Sequence, residues 1–100
     1  MVQRFVCFKF KENTPPEAVQ QHLDMLAALK DAIPQIASYA GGKAFTSGKG
    51  ESKYDTAHYL TYASREDIDI YFHHEAHQTF IETNKVHWDN VLVVDSDISL

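Results

Sequence analysis

Cysteine is nearly missing from these 100 residues. Cys7 stands alone, so no internal disulfide is available, and its apolar neighbours mark a buried, inert thiol rather than a nucleophile. A reducing cytoplasm suits such a chain. Positive charge is also scarce: nine Lys and Arg face fourteen Asp and Glu, a net charge of −5. That balance argues against a nucleic-acid backbone or an anionic membrane as the main partner, since both need clustered cations. No apolar run approaches the ~18 residues of a membrane span. Residues 1–11, interrupted by Arg4 and Lys9, make a poor signal-peptide core. The expectation is one soluble cytoplasmic domain over residues 1–100, with a single core that burial against a partner would reinforce.

What is present alternates between two periods. Residues 2–10 have strand composition, with Val2, Arg4, Val6, Phe8 and Phe10 on one face and Gln3, Phe5, Cys7 and Lys9 on the other. Thr14-Pro15-Pro16-Glu17 then reads as a helix start with Thr14 as the cap. Val19, Leu23, Leu26, Leu29 and Ile33 recur every three or four residues, one stripe along a helix that stops near Pro34. Residues 36–45 form a second strand, in which Gly41-Gly42 signals a bulge or a close backbone approach. Residues 46–53 read as a flexible hairpin loop. Gly48-Lys49-Gly50 within it is no phosphate loop, because Lys43 stands where the first glycine should be and no Ser or Thr follows Lys49.

Residues 54–63 form the third strand, with Tyr54, Thr56, His58, Leu60 and Tyr62 on one side and Ala57, Tyr59 and Thr61 on the other. Ser64 caps a short helix running to about Phe72, and helix resumes near Ala76 toward Val86. His77, Phe80, Ile81 and Asn84 share its inward face. Residues 91–98 supply the last strand. The order β-α-β-β-α-β predicts an α+β split sandwich: a four-stranded antiparallel sheet, strands one and three central, helices on one face. Phe5, Cys7, Ala57, Tyr59, Leu92 and Val94 would leave the other face apolar, and a two-fold partner is the economical cover.

Phe8-Lys9-Phe10-Lys11, Ile33-Pro34, Gly42-Lys43, Tyr54-Asp55, His74-Glu75-Ala76-His77 followed by Phe80, and Val91-Leu92-Val93-Val94-Asp95 appear in an order that resembles the stress-responsive A/B barrel family, over nearly everything from Gln3 to Ile98. The resemblance implies a ferredoxin-like fold, two sheets meeting in a dimeric α-β barrel, and a small cavity between sheet and helices. The family includes proteins without assigned activity beside cyclases that use no cofactor. For the cyclases the resemblance implies an acid-base histidine with a nearby tyrosine, roles that fall here on His77 and Tyr71. Arg4 stands where the cyclase pattern has a further histidine near the start of strand one, Leu26 where it has a cavity tyrosine, and His-Glu-Ala-His replaces His-Pro-Ala-His.

Read as chemistry, His77 is the strongest candidate, because imidazole both takes and returns protons near neutrality. A hydrogen-bonded core histidine is the structural alternative. Strand parity, with the family comparison, puts Arg4 and His58 on the helix-facing side, so Arg4, His58, Tyr71 and His77 are expected to converge on one cavity. Phe8, Leu23, Leu26 and Phe80 would line its apolar end. Arg4 must pair with Asp or Glu, reach the rim, or hold an anionic ligand. His73 and His77 are four apart, but the ligand count is short of a zinc site and no metal is expected. His22 and His87 read as surface or rim residues and Trp88 as a core anchor.

Two functions follow. In one, the chain is a cofactor-independent cyclase, lyase or isomerase: His77 removes a proton beside a carbonyl, Tyr71 binds the enolate oxygen, and Arg4 holds an acidic group. In the other it is a non-catalytic, stress-associated or ligand-binding dimer whose inward histidines only satisfy backbone groups.

Overall fold

The computed structural model describes residues 1–50 and 52–99; Glu51, inside the predicted loop, and Leu100 lie outside the described residues. The order is β1 (Val2–Phe10), α1 (Pro16–Ala32), β2 (Ile36–Lys43), β3 (Thr56–Tyr62), α2 (Arg65–His73), α3 (Glu75–Asn84), a 3-10 turn (Lys85–His87) and β4 (Trp88–Asp97). The sheet runs β2-β3-β1-β4 with every pairing antiparallel, so strands one and three are central. This is a ferredoxin-like sandwich. Among the described residues no helix is long and apolar enough to cross a membrane.

Several boundaries differ from the sequence reading for local reasons. Thr14 does not cap α1: its hydroxyl turns back to the Lys11 carbonyl at 2.6 Å, and Pro15 occupies the cap position. Ser64 does cap α2, its side chain accepting from the Asp67 amide. The predicted break before α3 is at His74, which ends α2 and caps α3 by accepting the Ala76 amide on its own Nδ1. The second strand ends at Lys43 instead of Phe45, and the fourth starts at Trp88, earlier than expected. The bulge in β2 falls between Ile36 and Ser38, away from the glycine pair. Gly41 is the close approach instead, because an added Cβ there would sit 2.5 Å from Nδ1 of His58.

The core lies between sheet and helices, where Val6, Phe8, Phe10, Ile36, Leu60 and Tyr62 meet Leu26, Leu29, Ile33, Tyr71 and Phe80. Of the predicted α1 stripe, Leu26, Leu29 and Ile33 are buried, whereas Leu23 is only half-buried. His22 takes a place on that stripe that the sequence reading had assigned to the surface, and its exposure is 0%.

The face away from the helices carries Phe5, Cys7, Tyr59, Leu92 and Val94, which the register sets side by side: Phe5 pairs with Tyr59 and Val94, and Cys7 with Leu92. Tyr59 and Val94 remain 44% and 49% exposed. Val91 and Val93, on the helix side of β4, are exposed as well, since β4 reaches past the layer that the helices cover. In a single chain, this edge strand is bare on both faces.

Candidate functional site

Three of the predicted residues are brought together where β1, α2 and α3 meet. Parity places Arg4 on the helix side of β1, opposite Leu60 on β3 and Asp95 on β4. Its guanidinium makes a bidentate pair with Asp95, Nε to Oδ1 at 2.8 Å and Nη2 to Oδ2 at 3.0 Å. Burial works against the charge, and Asp95 more than offsets it. The same guanidinium lies 5.9 Å from the centre of the Tyr71 ring. Tyr71 in turn packs against His77 with ring centres 4.3 Å apart, and against Tyr62 at 5.4 Å.

His77 is 7% exposed. Its Nδ1 lies 3.0 Å from the Phe72 carbonyl, and a carbonyl only accepts, so Nδ1 carries the proton and the lone pair is on Nε2. No described residue hydrogen-bonds Nε2. Desolvation chiefly, with a further push from the nearby Arg4 charge, holds the imidazole below its ordinary pKa despite the bond to Phe72, so the neutral base predominates at neutral pH. Burial pushes the Tyr71 phenol up to about 12, which keeps it a proton donor. Among the described residues His77 therefore has one ring nitrogen bonded to backbone and the other without a protein partner.

His58 does not join this group. Its Nδ1 is 2.8 Å from the Tyr39 hydroxyl and its Nε2 is 3.0 Å from Oγ1 of Thr56, so both nitrogens are already occupied. Its ring neighbours are Phe8, His22 and Tyr39. The expected single cavity is filled with side chains: Phe8, Leu26 and Phe80 are packed core residues. Clefts open elsewhere, about 910 Å³ beside Lys9, Lys11 and Lys43, about 450 Å³ between α1 and α3, and about 420 Å³ beside Ile68 and Asp95. Arg4, Tyr71 and His77 line none of these.

The sequence reading missed a second polar cluster. His22 sits inside the core with ring centres 4.3 Å from Phe8, 4.9 Å from Phe10, 5.1 Å from Phe80 and 5.9 Å from His58. Desolvation, then the neighbouring His58, lower its pKa to about 3, and desolvation lowers that of His58 to about 4. A signal was present: His22 lies three residues after Val19, four before Leu26 and seven before Leu29, on the apolar stripe itself. Trp88 is half-buried at the head of β4 and packs on Phe8 and Phe80. Among the described residues no group of three or more His, Cys, Asp or Glu is placed to hold a metal ion.

A four-stranded antiparallel sheet with helices over one face places the chain in the class of ferredoxin-like α+β proteins. Residues 2–98 match the Stress responsive A/B Barrel Domain, and the chain belongs to that family. It is 26% identical over 94 residues to olivetolic acid cyclase of Cannabis sativa, covering 94% of this chain and 93% of that protein. Its fold is similar to hydroxynitrile lyase from Passiflora edulis, with a TM-score of 0.86 at 15% identity over 98% of this chain and 93% of that one. It is also similar to a dimeric ferredoxin-like protein of unknown function from Thermobifida fusca, with a TM-score of 0.84 at 21% identity over 97% and 90% of the two chains.

Proposed function

We propose that this chain works as a homodimer that moves a proton on a small carbonyl compound without a cofactor, with His77 as the base. The carrying observation is the fixed tautomer of His77: Nδ1–H is committed to the Phe72 carbonyl, and the neutral ring presents Nε2 free of any described protein partner. A proton leaves the carbon beside the carbonyl for Nε2, the electron pair of that bond moves to the carbonyl oxygen, and the Tyr71 hydroxyl donates to the oxygen as it becomes an enolate. Asp95 holds Arg4 through Nε and Nη2, which fixes a positive charge beside Tyr71 and leaves Nη1 as the donor for an acidic group of the substrate. Room for the substrate comes from Phe80, whose ring centre lies 6.3 Å from that of His77 and which also walls the groove between α1 and α3. The names of the cyclase and lyase relatives support small-molecule chemistry in this fold. The buried free thiol of Cys7 suits a cytoplasmic setting.

The test is exchange of the α-protons of phenylacetone in D2O, followed by NMR. The intact chain should exceed buffer, His77→Ala should lose about a hundredfold or more, and Tyr71→Phe should lose less. Because the His77 pKa is lowered, the rate should stay level through neutrality and fall only below the ordinary histidine range. A rate equal to buffer, or one indifferent to His77→Ala, removes the acid-base reading. The filled interior favours a second reading, a non-catalytic stress-associated or ligand-binding dimer. Binding of phenylacetone with no exchange selects it.

The dimer rests on the bare apolar face and on the dimeric relative. Phe5 and Tyr59 stack at 5.1 Å in the middle of that face, so Tyr59→Glu should shift the chain from dimer to monomer in light scattering at micromolar concentration. A wild-type chain already monomeric at that concentration would count against the barrel.

A further inference from the structure

The packed interior holds polar atoms that no described residue satisfies. Among the described residues, both ring nitrogens of His22, the indole Nε1 of Trp88 and the Tyr62 hydroxyl are buried with no hydrogen-bond partner. Unpaired groups of this kind are rare in native proteins, because each gives up its water for nothing. The Tyr62 hydroxyl stands apart, its ring against Tyr71, whereas the His22 and Trp88 rings are 5.9 Å apart and share Phe8 and Phe80 as neighbours, so their orphaned atoms belong to one aromatic box. Phe80 closes that box on the side of the acid-base group, with its ring 6.3 Å from His77 and tilted only 27° from it. On its other side Phe80 faces the groove of about 450 Å³ between α1 and α3, where Ala28, Ala32 and Ala76 leave space that larger side chains would fill.

We propose that His22 and Trp88 form the far, polar end of the substrate pocket, opened when Phe80 turns into the α1–α3 groove, and that they select an aromatic carbonyl compound bearing a hydroxyl remote from the reacting carbonyl. This rests on the acid-base reading of His77. An indole N–H only donates, while a neutral imidazole has one donor and one acceptor. A hydroxyl is the group that matches this pair, accepting from Trp88 and donating to the bare nitrogen of His22. The ligand's aromatic ring takes the place that the Phe80 ring gives up, between the rings that already pack there. An alkyl group at the same point leaves the polar atoms as they are, unpaired, so the site discriminates by what it would otherwise fail to satisfy. The chemistry at the other end is unchanged: a benzylic proton passes to Nε2 of His77, exchanges with solvent and returns to the same carbon.

The experiment compares 4-hydroxyphenylacetone with 4-methylphenylacetone on the intact protein, measuring affinity by calorimetry and α-proton exchange in D2O. The hydroxyl compound should bind at least about tenfold more tightly. Trp88 is the only tryptophan, so its indole N–H resonance is assigned at sight; it should move on adding the hydroxyl compound and stay in place with the methyl one. His22→Phe and Trp88→Phe should each bring the preference to within about twofold. Equal binding of both compounds together with His77-dependent exchange overturns the polar end and leaves the acid-base reading standing. Absence of binding and exchange with either compound overturns both. Should His22→Phe fail to fold, Trp88→Phe and the indole resonance carry the same decision.

Discussion

Between pH 7 and pH 5 the folded chain should lose about 4 kcal/mol of stability, most of it through His22 and His58. Both rings are fully buried and neutral, with pKa values lowered to about 3 and about 4, whereas in the unfolded chain each titrates near 6.5. The sign follows from proton uptake. Below pH 6.5 the unfolded chain binds protons that the folded one refuses, so stability is full above that value and falls as the pH drops, until His58 titrates in the fold near 4 and His22 near 3. Each histidine costs about 1.4 kcal/mol per pH unit in that window. Domains of this size have only about 5–15 kcal/mol to lose, so this loss is a large share of the total stability.

Other groups enter elsewhere in that range or beyond it. The lowered pKa of His77 adds in the same direction, while the Arg65 pair holds Asp97 below its ordinary range, so that carboxylate stays charged until the pH is lower still. Urea titrations at pH 7.5, 6 and 5, at one protein concentration, measure the slope. His22→Phe should remove about half of it. A midpoint unchanged from pH 7.5 to 5 would show that these imidazoles reach solvent.

Gly41→Ala should be the most damaging single methyl added to the sheet. An ideal Cβ at that position comes within 2.5 Å of Nδ1 of His58, 2.6 Å of the Tyr39 hydroxyl and 3.1 Å of the Ala57 carbonyl. Those first two atoms are the partners of the 2.8 Å hydrogen bond that fixes His58. Relief requires pushing the Tyr39 hydroxyl off His58, which leaves a buried nitrogen unpaired, or bending β2 away from β3. Overpacking and a lost buried bond together predict about 2–4 kcal/mol, a fall in melting temperature of roughly 10 °C or more. Gly42→Ala is the control, because its Cβ meets nothing within 4 Å. Equal melting temperatures for the two variants would mean that Tyr39 gives way freely and that the His58 bond adds nothing.

The glycine pair shows how far the sequence could be read. Gly41-Gly42 signalled a bulge or a close approach without deciding between them, and without saying which glycine was needed. The answer depends on the β2–β3 register, which sets Gly41 opposite His58. The break at His74 was legible more directly, because His73-His74-Glu75 interrupts one apolar period and begins another. His22 was misplaced for a physical reason: a histidine on an apolar stripe is ambiguous until the opposite layer is known, and here that layer is Phe8, Phe10 and His58 from two central strands.

By itself, then, the amino-acid order determined the alternation of periods two and three to four, and with it the strands, the helices, their antiparallel sandwich and the apolar second face, because local spacing alone dictates which side chains share a side. Tertiary structure alone decided that Arg4 pairs with Asp95, that His58 bonds Tyr39 and Thr56, and that, among the described residues, one nitrogen of His77 stays free and His22 and Trp88 are enclosed without partners. Those outcomes depend on pairings between residues tens of positions apart, and a hydrogen bond is made or missed over fractions of an ångström that no spacing rule along the chain encodes.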